Sequence, residues 1–302
     1  MPLSFSIIIP TRNRSRLLKT TLLCLQAQDY PREAFEIIVV NNDPDDMATA
    51  SVVQALQKSM KNLVYCVEHQ QGSSFARNTG CRKAKHLHLI FIDDDITVRP
   101  DFLRGYAYAW DRYPQARILG GQLVAELDNG EQFTRTQQHL LKKHPWCFAQ
   151  MDWVSQDMAL RVQDILFSAN MSYRRNQAEH PLFSCRVGVQ FYLNEQFGIE
   201  DIELFTRTVL KGEQLVLLSS EMLVVRHRIS KIRFTDSYLT KRFFLAGIEM
   251  YLLEDILSHQ FPHFQPFYMK QIKSWRGVGR LLSDKYERQQ FLSYLFNGKY
   301  FV

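Results

Sequence analysis

Three places in the sequence gather side chains that could do chemistry. The first is "LHLIFIDDDITVRPDFL" (residues 87–103), where Asp93, Asp94 and Asp95 follow directly on a run of Leu, Ile and Phe. Adjacent carboxylates repel one another and resist burial unless a positive partner is at hand. A hard divalent cation is one such partner, since it takes carboxylate oxygens as ligands. A solvated turn that caps the next helix is the plainer account of three acids in a row. The second place is "GIEDIELFTRTVLKG" (198–212), with Glu200 and Asp201 side by side. Such acids could accept a proton from a substrate, or simply complement the dipole of a helix's first turn. The third is "VVRHRISKIRF" (224–234), where His227 stands among Arg226, Arg228, Lys231 and Arg233. A lone histidine is more often structural than functional, whereas guanidinium groups match diphosphate oxygens well.

The elements around these places read as alternating strands and helices. "FSIIIP" (5–10), "EIIVV" (36–40), "LVYCV" (63–67) and "LHLIFI" (87–92) are short apolar runs that read as buried strands. Between them lie helical stretches at Ser15–Gln28, with Ser15 as N-cap, at about 47–60, and at Ser74–His86. This rhythm implies parallel strands joined by right-handed crossovers. Asp93 then falls at the carboxyl end of a buried strand, where open α/β sheets bind ligands.

Further on, "RILGGQLVAEL" (117–127) reads as one strand, bent or bulged at Gly120–Gly121. Residues 128–164 carry little periodicity and read as an irregular insertion. "ILFSANMSYRR" (165–175) alternates like a strand, and 198–218 reads as a helix ending near Gly212, then a strand. From about residue 230 the chain is helical, with basic residues among large apolar ones. We therefore expect a catalytic domain over 1–229, split into a nucleotide-binding half (1–100) and an acceptor half (101–229). A helical extension over 230–302 would follow. The extension's stripes suit a packed core, or a membrane-surface contact through Lys270, Lys273, Trp275 and Arg276.

Composition bounds the function. Of 302 residues, 37 are Lys or Arg and 31 Asp or Glu, giving +6 and a pI near 9.0. That mild excess suits an enzyme handling phosphates, or one resting on an anionic surface. A nucleic-acid module has little support beside these, since there is no zinc spacing, RNP-like aromatic pattern or strongly basic stripe. Five scattered cysteines without a CxxC pair read as reduced thiols. With no signal peptide or spanning segment legible in the sequence, a cytoplasmic enzyme is expected, peripheral at the inner face of the membrane if the extension docks there.

Taken together, the motifs resemble glycosyltransferase family 2, over roughly four fifths of the chain. "SIIIPTRNR" is similar to that family's first strand and nucleotide-contacting turn, which implicates Pro10, Thr11, Arg12 and Arg14. "EIIVVNNDPDD" resembles its second strand and acidic turn, with Asn41 and Asp43 toward base and ribose. Asn41 replaces a common Asp, leaving nucleobase preference open. "GSSFARNTG" resembles the segment closing the nucleotide pocket, with Arg77 and Asn78. "FIDDDITVRPDFL" resembles the D-x-D segment, "SANMSYRR" the acceptor-side strand with Asn170, "GIEDIELFTRTVLKG" the acid-bearing helix, and "VVRHRISKIRF" the later His-plus-basic segment.

The resemblance implies a GT-A fold: a Rossmann-like α/β domain with a mostly parallel central sheet. It implies an inverting transfer from a UDP-, GDP- or dTDP-sugar to an acceptor hydroxyl, in surface polysaccharide or glycoconjugate synthesis. It further implies Mg²⁺ or Mn²⁺ held by Asp95, Asp93 and His227. Asp93 and Asp94 would also lie against the donor. Asp201 would be the general base, and Glu200 would orient the acceptor or cap the helix. Two readings compete with this: transfer to a polyprenyl-phosphate carrier, and a nucleotide-sugar-binding protein without catalysis.

Overall fold

The computed structural model describes residues 2–151, 154–162, 164–176, 181–186, 198–264, 286–290 and 292. The chain opens with β1 (Phe5–Thr11), α1 (Ser15–Gln26), β2 (Phe35–Asn41), α2 (Met47–Gln57), β3 (Leu63–Val67), α3 (Ser73–Lys83) and β4 (His88–Ile92). The Ile- and Val-rich runs form central strands because they can be covered on both faces; β2 is buried at all seven positions. β1 pairs in parallel with both β2 and β4, and β2 in parallel with β3.

Next come β5 (Ile96–Thr97), α4 (Phe102–Arg112), β6 (Ile118–Gly120), β7 (Leu123–Leu127), α5 (Arg135–Lys143), β8 (Met158–Ala159) and β9 (Asn170–Arg174). The described chain continues with α6 (Glu200–Leu210), β10 (Leu215–Leu217), β11 (Val225–Ile229) and α7 (Asp236–Gln260). One sheet has the order β3-β2-β1-β4-β9-β6-β10-β8, and a second, smaller sheet the order β5-β11-β7. The first four strands in that order are parallel, while β9 runs antiparallel to both β4 and β6.

Helices cover both faces of the large sheet. Leu18, Leu22 and Leu25 of α1, Val53 of α2, and Phe102, Tyr106 and Trp110 of α4 share a core with Ile7, Ile9, Ile37, Val39 and Ile90. The alternate positions Ile8, Ile38 and Phe91 face Ala76 and Cys81 of α3 and Leu204 and Phe205 of α6. A Cβ at Gly80 would lie 2.4 Å from Ile8 Cγ2, so α3 reaches β1 only because that position is glycine.

Four local expectations need correction. Ser15 is the first helical residue rather than the N-cap; Arg14 precedes it, and no side chain caps α1. The predicted single strand over 117–127 is two strands in different sheets, parted at Gly121. A Cβ there would stand 2.3 Å from both Asn170 Nδ2 and Leu223 O, too close for any side chain. The stretch 128–164 is not wholly irregular: α5 forms behind a Thr134–Gln137 capping box, on the surface with no buried residue. Finally, only Asn170–Arg174 of the predicted strand over 165–175 is extended and paired. The helical reading beyond residue 230 holds for α7, whereas Lys270, Lys273, Trp275 and Arg276 lie outside the described residues. Among the described residues, no helix is long and apolar enough to cross a membrane.

Candidate active site

The turns that follow β1 and β4 meet at the carboxyl edge of the large sheet, where the chain's course reverses from one side of β1 to the other. A cavity of about 290 Å³ opens there, lined by Pro10, Thr11, Arg12, Arg14, Asn42, Ser73, Ala76, Arg77, Asp93 and Asp94. Most of the predicted donor-side residues therefore come together in one place.

The three aspartates point in three directions. Asp94 accepts a 2.6 Å hydrogen bond from Thr11 Oγ1, while its backbone carbonyl accepts from Thr21 Oγ1. Asp95 turns toward the small sheet. Antiparallel pairing of β5 with β11 sets His227 opposite Ile96, and the Arg228 N–H donates to Asp95 O at 2.9 Å. His227 Nε2 consequently lies 3.2 Å from Asp95 Oδ1. Asp93 stays half-buried and turns toward Arg77. Arg14 Nη1 bridges Asp94 Oδ1 at 3.2 Å and Asp95 Oδ2 at 3.0 Å. Burial pushes the Asp94 carboxyl up to about 6, against the pull of Arg14. Burial pushes Asp95 the same way, but His227 and Arg14 outweigh it and hold that carboxyl at about 2.

One oxygen from each of Asp93 and Asp95 and one nitrogen from His227 all lie within 4.8 Å of one another. Asp95 Oδ1 and His227 Nδ1 are buried without a hydrogen bond among the described residues. Two carboxylates and an imidazole can together hold a divalent cation, so the donor set fits such an ion.

The first turn of α6 is joined to the cavity through Arg77, which pairs with Glu200. Asp201 Oδ2 accepts from Ser168 N at 2.9 Å and Oγ at 3.3 Å, and its Oδ1 from Ile202 N at 2.8 Å. Burial and the adjacent Glu200 charge raise the Asp201 carboxyl to about 7, although Arg77 and the backbone donors pull the other way. Arg77, itself buried, joins the two acid groups: Nη2 meets Asp93 Oδ1 at 3.0 Å and Nη1 donates to Glu200 Oε1. Phe183 lies under its guanidinium, 5.7 Å from ring centroid to carbon. Glu200 Oε2 is left buried and unpaired among the described residues.

Other predicted residues stand elsewhere. Asn41 is fully buried beneath the cavity, its amide donating to Tyr65 Oη and Asp46 O. Its neighbour Asn42 lines the cavity instead, while Asp43 sits near the rim, 3.6 Å from Arg12 Nε. Asn78 holds the Phe183 backbone from both amide ends. Asn170 is fully buried and saturated: it donates to Gln122 O and Leu223 O and accepts from Tyr106 Oη. Sequence reasoning missed Ser73 and Ala76, for which the signal was their place at the start of α3, directly after Gly72. Ser168, in the "SANMSYRR" segment just before β9, was likewise missed, and it anchors Asp201.

The chain is similar to known glycosyltransferases in sequence and in fold. The AglE glycosyltransferase of Haloferax volcanii is 32% identical over 99 residues, about a third of either chain. The Campylobacter jejuni GalNAc(5)-diNAcBac-PP-undecaprenol beta-1,3-glucosyltransferase is 37% identical over 92 residues, 30% of this chain and 29% of that enzyme. The aligned part thus spans about a third or less of these relatives. Among solved structures, Staphylococcus aureus TarS 1–349 in complex with UDP-GlcNAc matches with a TM-score of 0.55 at 16% identity, covering 97% of this chain and 80% of that one. The mannosyltransferase PcManGT of Pyrobaculum calidifontis, in complex with GDP-Man and Mn²⁺, matches with a TM-score of 0.52 at 17% identity, covering 98% and 87%. These likenesses establish the GT-A fold. The model of glycosyl transferase family 2 matches residues 6–177, more than half of the chain, and the protein belongs to that family.

Proposed function

We propose that the protein is an inverting, metal-dependent glycosyltransferase that moves a sugar from a nucleotide-diphospho-sugar to an acceptor hydroxyl. The observation that carries this reading is that Arg77, which lines the cation-rich cavity, joins Asp93 at the carboxyl end of β4 to Glu200 in the first turn of α6. Residues 1–229 form the catalytic domain in this reading.

Asp93, Asp95 and His227 would hold Mg²⁺ or Mn²⁺, which when bound stabilises negative charge on the leaving diphosphate. Arg12 and Arg14 present guanidinium groups to the same cavity and bind phosphate oxygens; a bound diphosphate offers Arg14 a partner other than Asp94 and Asp95. Pro10, Thr11 and Asn42 line the nucleoside side, with Asp43 at the rim. Asn41 serves by fixing the turn from beneath, and Asn170 by tying β9 to the Gly121 break. Asp201 takes the proton of the acceptor hydroxyl, and its raised proton affinity puts it near balance at neutral pH. Glu200 fixes Arg77 and thereby the distance between donor and base.

The relatives' names point to glycan assembly, and the Campylobacter enzyme's name includes an undecaprenol-linked substrate. A lipid-linked saccharide is therefore the second acceptor class to offer beside a free one. A binding protein without turnover would have no use for Asp201 held near neutrality.

Calorimetric titration of UDP-GlcNAc, GDP-mannose and a dTDP-sugar, with Mn²⁺ and then with EDTA, tests the donor side. We expect one donor to bind only with the metal, and Asp95→Asn to abolish that binding. Binding indifferent to EDTA, or no binding to any donor, would overturn the reading.

A further inference from the structure

The helix that carries Glu200 and Asp201 begins without a cap of its own. Its N-cap residue is Ile199, whose side chain has no acceptor for the first backbone donors. The N–H of Gly198, just before it, donates instead to Glu249 Oε1 of α7 at 2.9 Å. Glu249 is 2% exposed, and its other oxygen accepts from Arg242 Nη1 at 2.8 Å, two turns earlier on the same face of α7. Arg242 in turn lies over the Trp146 ring, 5.2 Å from its centroid. Beside this pair, Ile199 packs against Leu253, Ile256 and Leu257 of α7.

A buried carboxylate–guanidinium pair is a poor source of stability, since the cost of taking both ions from water roughly cancels their attraction. Apolar residues would join α7 to α6 as firmly, as Ile199 and Leu253 already do. What the pair adds is direction: a charged acceptor aimed at one backbone N–H, three residues before Asp201. With Ser168 N and Oγ holding Asp201 from the other side, the first turn of α6 is fixed at two points.

We propose that Glu249, held by Arg242, is a positioning residue that pins the entry of α6 and so sets where Glu200 and Asp201 stand. The inference rests on Asp201 being the general base. The charged groups facing Asp201 are Glu200 on its own helix and Arg77 from α3; facing Glu249 are Arg242 and, as a titratable but neutral group, the nearby Cys147 thiol, which burial pushes up to about 12. Loosening the entry admits water to Asp201 and moves it away from Glu200, so its proton affinity relaxes toward that of an ordinary carboxylate.

The test uses the full chain as parent, Glu249→Ala, Arg242→Met and the double variant Glu249→Gln/Arg242→Gln, whose amides restore donor and acceptor without charge. Two quantities are read: Mn²⁺-dependent hydrolysis of UDP-GlcNAc or GDP-mannose, whichever binds, and the pH midpoint at which the melting temperature departs from that of the matching Asp201→Asn variant. We expect Glu249→Ala to lower kcat about tenfold at unchanged KM and to move the midpoint down by a unit or more, and the double amide variant to recover both. Should Glu249→Ala not fold, Arg242→Met, which leaves the carboxylate unheld, carries the same expectation. A lowered melting temperature with kcat and midpoint unchanged would make the pair merely structural and overturn the proposal. Hydrolysis retained in Asp201→Asn would overturn the base reading alone, because the midpoint still reports on the clamp.

Discussion

Asp95 and Asp201 are buried to nearly the same depth, yet one is held near 2 and the other is raised to about 7. Burial alone would push both up. The difference lies in what each carboxyl faces. Asp95 has His227 at 3.2 Å and Arg14 at 3.0 Å, and Arg233 nearby adds to their field. Asp201 has the like charge of Glu200 beside it, and the guanidinium that pulls on it, Arg77, is already engaged by Glu200 and Asp93. One acid is thereby kept as a permanent anion suited to a cation, the other as a group that exchanges its proton at working pH. Two carboxylates with separated proton affinities are what a metal-assisted displacement with a general base requires.

The sharpest way to break this contrast is Asp201→Asn. Transfer should fall by roughly 10² to 10⁴, the usual worth of a general base, while calorimetric binding of donor and Mn²⁺ stays within about twofold. Loss of donor binding instead would put Asp201 on the donor side and end the division of labour. A smaller effect is expected from pH. Transfer at saturating donor should decline about tenfold per unit below pH 7, and Arg77→Met, which removes the cation pulling Asp201 down, should move that limb upward by about one unit. A limb that stays in place would show that Arg77 does not act on Asp201. The smallest effect is in stability. An acid whose proton affinity is raised on folding contributes stability fully below its unfolded value near 3.8, and loses it as pH rises through about 7. The shift corresponds to up to about 4 kcal/mol, so the parent's melting temperature should fall by a few degrees relative to Asp201→Asn between pH 5 and 8. A difference that is flat with pH would mean that Asp201 is not raised.

The first half of the fold was legible because its strands are buried on both faces and its helices are regularly spaced; Ile7–Ile9, Ile37–Val40 and Leu89–Ile92 announce themselves. The acids at 93–95 and 200–201 were legible because charge directly after an apolar strand, or opening a helix, is conspicuous. What escaped depends on partners distant in the chain. Gly120–Gly121 looks like a bend, and only contact with Asn170 and Leu223 shows that residue 121 must lack a side chain. Asn41 and Asn42 look alike, but the first, the last residue of β2, turns to Tyr65 and Asp46, and the second, just past the strand, lines the cavity. Arg14 as the bridge of Asp94 and Asp95, and Glu249 as the partner of Gly198, span 80 and 51 positions, beyond any local pattern. The capping box at Thr134–Gln137 was legible and went unread, masked by the polarity of α5.

The pairing of β11 between β5 and β7 has a consequence for how the protein is made. On the ribosome, the strands, helices and aspartates of residues 6–177 emerge first. His227 and the N–H that fixes Asp95 arrive some fifty residues later, after Glu200 and Asp201, and Glu249 later still. Until β11 slots in, Asp95 has no imidazole beside it and the small sheet has no middle strand. The order of synthesis thus withholds the completed carboxylate–histidine pair until β11 at Val225–Ile229 has been made, and a nascent chain stopped short of that strand would carry the nucleotide-facing edge without the imidazole beside Asp95.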